Sequence, residues 1–246
     1  MTNNTKCAVI MGATSGLGYE VARLLLADGW KLGVAGRREE NLKKLQSEYP
    51  GQVCIKAIDV KDCNADKALL SLIDELGGMD MYFHSSGIGY QNTRLDADIE
   101  LNTLETNGTG FTRLVGTAFR YFREKGRGHI AVISSIAGTK GLGVAPAYSA
   151  TKRFQNTYID ALEQLATIQK LDIRFTDIRP GFVATSLLND GKNYPMLMKT
   201  PYAAKLIVKA LKRNKRIAVI DWKYSILVFF WKLIPRCIWK KMKVKN

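Results

Sequence analysis

Tyr148 and Lys152 stand four residues apart, in Tyr148-Ser149-Ala150-Thr151-Lys152, thirteen residues after Ser135. Residues at that spacing share one face of a helix, so an ammonium can be held beside a phenol. A free phenol ionises at about pH 10. A cationic neighbour stabilises the phenolate and lowers that value, which suits Tyr148 to exchange a proton near neutrality. Tyrosine and lysine four apart also decorate many solvated helices, so the pair alone is weak evidence. Ser135, in Ile133-Ser134-Ser135-Ile136-Ala137-Gly138, makes it a triple, and the strand and glycine signals around the triple give it weight.

The first of those signals is Gly12-Ala13-Thr14-Ser15-Gly16-Leu17-Gly18, directly after an apolar run and opening into Val21, Leu24 and Leu25 on one helical face. Glycines let a backbone approach a pyrophosphate closely, and a new helix offers it unpaired N–H groups and a positive dipole end. The chain therefore reads as dinucleotide-binding. After the second strand comes Val34-Ala35-Gly36-Arg37-Arg38. A carboxylate there would accept the adenosine ribose diol of NAD, whereas a 2′-phosphate attracts guanidinium. Gly36 holds the place of the carboxylate, so the expected cofactor is NADP(H), with Arg37 as the main phosphate ligand and Arg38 as the weaker one.

The glycine spacing is G-x-x-x-G-x-G, and here the chain resembles the short-chain dehydrogenase/reductase family over residues 6 to about 220. The resemblance implies hydride transfer between a nicotinamide and a carbonyl or secondary alcohol. Tyr148 would be general acid or base, Ser135 would hold the substrate oxygen, and Lys152 would bond the nicotinamide ribose. Asn107, in Asn107-Gly108-Thr109-Gly110, matches the family's fourth catalytic residue, which binds a relay water. Asp59-Val60 matches the adenine contact. Arg179-Pro180-Gly181-Phe182-Val183-Ala184-Thr185 matches P-G-x-V-x-T, placing Pro180, Gly181, Val183 and Thr185 along the nicotinamide and pyrophosphate. One departure is His84-Ser85-Ser86-Gly87 where the family has N-N-A-G; Ser86 and Gly87 are still expected to line the adenosine side. His84 reads as a hydrogen-bonded strand-end residue rather than a catalyst, and His129 as a surface turn residue.

Apolar runs of strand length must position these groups: Lys6–Met11, Lys31–Ala35, Val53–Ala57, Met79–Phe83, His129–Ser134, Ile173–Ile178 and Arg216–Ile220. Helical periods lie between them, at Gly16–Asp28, Glu39–Tyr49, Ala65–Leu76, an interrupted stretch Leu95–Lys125, Ala147–Lys170 and Pro201–Lys212. Alternation of this kind predicts an α/β fold, a single doubly wound Rossmann domain with a seven-stranded parallel sheet between helices. It spans residues 1–220, with a loop over 186–200 that closes on substrate.

Residues 221–246 form a separate basic, aromatic segment. The chain carries a net charge of +15, and from Lys205 onward thirteen basic residues face one acid, Asp221, so the body is nearly neutral. Phe229, Phe230, Trp231 and Trp239 among lysines suit a membrane interface, and the uncharged run is too short to span one. The competing reading packs this segment on the core or on a second subunit, as a lid over the substrate pocket. No nucleic-acid motif accompanies the basic stripe. A lipid-facing tail favours a lipophilic substrate such as a 3-keto sphingoid base or a fatty ketone. The four scattered cysteines and two histidines give no metal site, and the polar start reads as cytoplasmic. The resemblance implies a homo-dimer or homo-tetramer on the long helices ending near Lys125 and Lys170. The alternative to an enzyme is a membrane-associated NADP(H)-binding scaffold or sensor without turnover.

Overall fold

A computed structural model describes residues 5–185, 188 and 193–242. Seven strands, β1 (Cys7–Met11), β2 (Lys31–Gly36), β3 (Val53–Ala57), β4 (Met81–His84), β5 (Arg127–Ile133), β6 (Asp172–Pro180) and β7 (Ile217–Ile220), form one parallel sheet in the order β3-β2-β1-β4-β5-β6-β7. Strands buried on both faces read as continuous apolar runs, as Ala8-Val9-Ile10-Met11 does.

Helices cover both faces. On one side α1 (Gly16–Ala27), α2 (Glu39–Glu48) and α7 (Thr200–Lys212) bury Val21, Leu25, Leu42, Leu45 and Ile207 against Ile10, Val34 and Ile178. On the other, α3 (Ala65–Leu76), α5 (Phe111–Lys125) and α6 (Pro146–Ile168) bury Leu69, Leu72, Leu114, Phe122 and Ile159 against Val9, Tyr82 and Ile130. The strand order reverses at β1, where Met11 lies opposite Ala35 of β2 and His84 of β4. The crevice beyond these strand ends is where a doubly wound sheet binds its ligand.

The interrupted stretch resolves into α4 (Ala97–Leu104), a π-helical turn Glu105–Gly110, and α5. Asp96 starts α4 by accepting from Asp98 N and Ile99 N. Gly126 ends α5 at φ 72°, a left-handed conformation that a side chain would strain.

The sequence reading placed no helix after α7, yet α8 (Trp222–Leu233) and α9 (Arg236–Trp239) follow β7. Apolar residues all round α8 hide its period. Tyr224 and Val228 join the core beside β7, while Trp222, Ile226, Phe229, Phe230 and Leu233 are exposed. α8 is therefore packed on the core along its Tyr224 and Val228 side, while α9 buries no residue. Among the described residues no helix is long and apolar enough to cross a membrane. Of the expected closing loop, residues 186, 187 and 189–192 lie outside the described residues; Met198 bridges to Val183.

Candidate active site

The glycine turn is built by close backbone approach. Gly12 N and Ala13 N both donate to Ala35 O, at 2.8 and 3.0 Å, and Gly12 sits at φ +92°. A Cβ on Gly12 would lie 2.7 Å from Ser86 N, so the turns after β1 and β4 touch. A Cβ on Gly18 would meet the Gly12 carbonyl, and one on Gly36 would lie 2.7 Å from Thr14 Cγ2. Ser15 begins α1 without a side-chain cap, and the first turn carries no acid. Its N–H groups at Gly16, Leu17 and Gly18 are left for an anion, as a pyrophosphate requires.

The two arginines part company. Arg38 Nη2 donates to Ser15 Oγ at 2.6 Å and Thr14 Oγ1 at 3.1 Å, which lays its guanidinium on the glycine turn. Arg37 is exposed and makes no hydrogen bond or ion pair with the described residues. The structure thus brings to the turn the arginine that sequence ranked second. Asp59 is half-buried after β3 and accepts from Lys61 N at 3.0 Å; Val60 is buried, its carbonyl 3.2 Å from Arg113 Nη1.

Ser135, Tyr148 and Lys152 meet at the C-terminal end of β5. Ser135 caps a 3₁₀ turn, Ile136–Thr139, accepting from Ala137 N at 3.1 Å and donating to Pro180 O at 3.4 Å, and it lies close enough to the Tyr148 phenol to favour its phenolate. Tyr148 occupies the first turn of α6, which Pro146 opens, with its ring flat against Gly89; a Cβ there would lie 2.6 Å from Cδ2. Lys152 Nζ stands 5.7 Å from the Tyr148 ring centroid and donates to Ile133 O at 3.0 Å and Gln155 Oε1 at 3.1 Å.

Burial lowers the Lys152 ammonium from its usual range to about 8, with Asp177 opposing the fall. Burial raises Tyr148 above its ordinary value, and the nearby Ser135 hydroxyl offsets only part of that rise. Lys152 reaches over the ring rather than to the hydroxyl, so desolvation wins and the chain by itself holds Tyr148 protonated at neutral pH.

The π-helical turn aims Asn107 inward, a use typical of such bulges. Fully buried, its Oδ1 accepts from Ile88 N at 2.9 Å and its Nδ2 donates to Ile88 O at 2.7 Å, which fixes the 85–89 segment. A Cβ on Gly87 would lie 3.4 Å from Lys152 Nζ and 3.2 Å from Asn107 Oδ1, so Gly87 borders the catalytic group.

Sequence reasoning missed three supporting residues. Gln155 Nε2 donates to Asn107 O at 2.9 Å and so links Asn107 to Lys152; position 155, three after the lysine, was its only signal. Glu100 Oε2 accepts from Ala147 N at 3.0 Å and holds the start of α6 beside Tyr148. Tyr224 of α8 covers Gly181 with its ring, accepts from Phe182 N at 3.0 Å, and donates to the Pro195 or Met196 carbonyl, each 3.1 Å away. It thereby fixes the segment running from Pro180 to Val183; Thr185 beyond it lies 3.4 Å from where a Gly16 Cβ would stand.

His84 is fully buried at the end of β4, its Nδ1 2.9 Å from Tyr82 OH, and burial beside Lys152 lowers it to about 3. It stays neutral and structural, in keeping with its reading. His129 departs from its reading: it lies inside β5, half-buried, 2.9 Å from Thr176 Oγ1, because the strand begins two residues earlier than expected.

The sequence model of the family described as short chain dehydrogenase matches residues 6–194. An uncharacterised oxidoreductase of Mycobacterium tuberculosis is 32% identical over 240 residues, covering 93% of this chain and 94% of its own. Dehydrogenase/reductase SDR family member 7B of Xenopus tropicalis is 31% identical over 263 residues, covering 96% and 84% respectively. Among solved structures, an alcohol dehydrogenase from the archaeon Thermococcus sibiricus, complexed with 5-hydroxy-NADP, superposes with a TM-score of 0.78 at 23% identity, over 88% of this chain and 95% of that one.

Proposed function

The chain belongs to the short-chain dehydrogenase family, and from that premise we propose that it is an NADP(H)-dependent oxidoreductase interconverting a lipophilic ketone and its secondary alcohol. The observation that carries this reading is the meeting of Ser135, Tyr148 and Lys152 beside Gly87 and the glycine turn, within reach of one dinucleotide. The cofactor supplies or accepts a hydride at its nicotinamide. Tyr148 donates its phenolic proton to the substrate oxygen in reduction and takes it back in oxidation. Ser135 holds that oxygen, and Lys152 bonds the nicotinamide ribose. The uncapped α1 N-terminus would receive the pyrophosphate, and the Pro180–Val183 backbone with Thr185 would flank the carboxamide side.

Arg38, already on the turn, is the stronger candidate for the 2′-phosphate, with Arg37 beside it. Arg38→Asp is expected to raise the NADPH dissociation constant roughly 10- to 100-fold, the loss of charge-assisted hydrogen bonds, and to change NADH affinity little. Fluorescence titration of both cofactors measures this; an unchanged NADPH-to-NADH ratio removes the cofactor assignment.

The outer side of α8 supports a lipophilic substrate. Trp222, Phe229, Phe230 and Leu233 are 66, 61, 58 and 63% exposed, and Lys223, Lys232, Arg236, Lys240 and Lys241 surround them. Aromatic rings ringed by cations fit an anionic bilayer surface. This surface adjoins the catalytic segment, since Lys140 Nζ donates to Ile234 O at 2.6 Å and Trp239 Nε1 to Gly141 O at 2.9 Å. Exposed Phe154, Leu165 and Ile168 on α6 support self-association through α5 and α6.

A panel of short- and long-chain ketones, followed by NADPH absorbance with and without phosphatidylglycerol vesicles, tests the whole reading. Vesicles are expected to speed the long-chain ketones, and Phe229→Ser/Phe230→Ser to abolish that gain by about tenfold or more in vesicle affinity. No turnover of any ketone would sink the oxidoreductase assignment. Turnover indifferent to vesicles, with the double variant dissociating an oligomer instead, would sink the lipid contact.

A further inference from the structure

Beneath the site lies a charge that hydride transfer does not use. Asp177, in the middle of β6, is completely buried. Its carboxylate accepts from the Ser134 hydroxyl, from Asn156 Nδ2 at 2.9 Å, and from Arg179 Nε and Nη2 at 2.8 and 2.6 Å. Two of these partners are chain neighbours of the reacting groups. Ser134 stands between Ser135 and Ile133, whose carbonyl receives the Lys152 ammonium. Asn156 follows Lys152 by one helical turn, and Gly138 packs on both: a Cβ there would lie 2.5 Å from Asn156 Oδ1 and 2.9 Å from the Lys152 carbonyl.

We propose that Asp177 is a positioning residue for Lys152, fixing the end of β5 against α6 and setting a buried negative charge beneath the ammonium. The proposal rests on the reading of Lys152 as a working ammonium. The groups around Lys152 are the Ile133 carbonyl from β5, His84 from β4, Asn107 from the π-helical turn, Tyr148 and Gln155 from its own helix, and Asp177 from β6, which Arg179 holds in an ion pair. His84 and Tyr148 are neutral at working pH, so Asp177 is the one anion among them, and Arg179 is a second cation. Burying an ion pair gains little stability over an apolar pair of the same volume, so stability alone gives no reason for one here. A charge acting on the lysine does.

Lys152 can be read without cofactor or substrate. In protein labelled with ¹³C,¹⁵N-lysine, its side-chain resonances are assigned by their loss in Lys152→Met, and its midpoint is followed by NMR titration. Asp177→Asn is expected to move that midpoint to lower pH by roughly one unit, a tenfold change in acid dissociation, and Arg179→Gln to move it higher. Both substitutions loosen the same cluster, so a purely structural role predicts shifts of one sign or none. A wild-type midpoint in folded Asp177→Asn, or shifts of both variants in one direction, overturns the proposal. If Asp177→Asn does not fold, a wild-type midpoint in Arg179→Gln does so alone. Because no ketone enters the experiment, its failure is distinct from failure of the oxidoreductase reading.

Discussion

Tyr148→Phe is expected to cut ketone reduction by roughly 10²- to 10⁴-fold, the usual worth of a positioned proton donor, while NADPH binds almost as before. The substitution deletes one oxygen. The ring that remains still packs on Gly89 and still lies under the Lys152 ammonium. Ser135 keeps its bond from Ala137 N. What disappears is the proton that burial holds on the phenol at neutral pH. Reduction then has a hydride donor and a held oxygen but nothing to protonate the alkoxide. Turnover by NADPH absorbance, with cofactor affinity by fluorescence, checks both halves. Equal turnover in the variant refutes the mechanism.

Lys152→Met should remove turnover by a comparable factor, and it carries a second signature in stability. The folded lysine loses its proton at about 8, the unfolded one only at its ordinary, higher value. Between those limits the unfolded chain binds more protons, so the wild type gains stability as pH rises through that window and gains none below it. Measured as the difference from Lys152→Met, which has no such proton, the gain approaches about 3 kcal/mol by pH ~10.5. Urea unfolding of both proteins at neutral and alkaline pH gives the difference. A difference that does not change with pH means that the ammonium is not buried as described.

Much of this was legible in the sequence because each signal had a local cause. Strand length in apolar runs, the glycine turn and the four-residue spacing of Tyr148 and Lys152 all follow from periodicity and backbone sterics. The seven-stranded parallel sheet and its two layers of helices came out as those patterns predict. What failed to show was set by distant contacts. Arg38 rather than Arg37 reaches Thr14 and Ser15, a tertiary matter that no local pattern encodes. The burial of the phenol comes in part from Gly89, 59 residues back along the chain. α8 was invisible because a helix apolar on both sides has no period to detect. Asp177 looked like any acid in a strand until Ser134, Asn156 and Arg179 closed on it.

Tyr224 has a consequence for any surgery on the C-terminus. The helix whose outer side carries Trp222, Phe229 and Phe230 is, on its other side, the roof over Gly181 and the acceptor for Phe182 N–H. Cutting the chain before α8 would strip that roof, so the shortened enzyme would fall silent whether or not it had ever touched a bilayer. Outer rings and inner roof share one piece of masonry, and only changes confined to the outward rings can separate a lipid contact from support of the Pro180–Val183 segment.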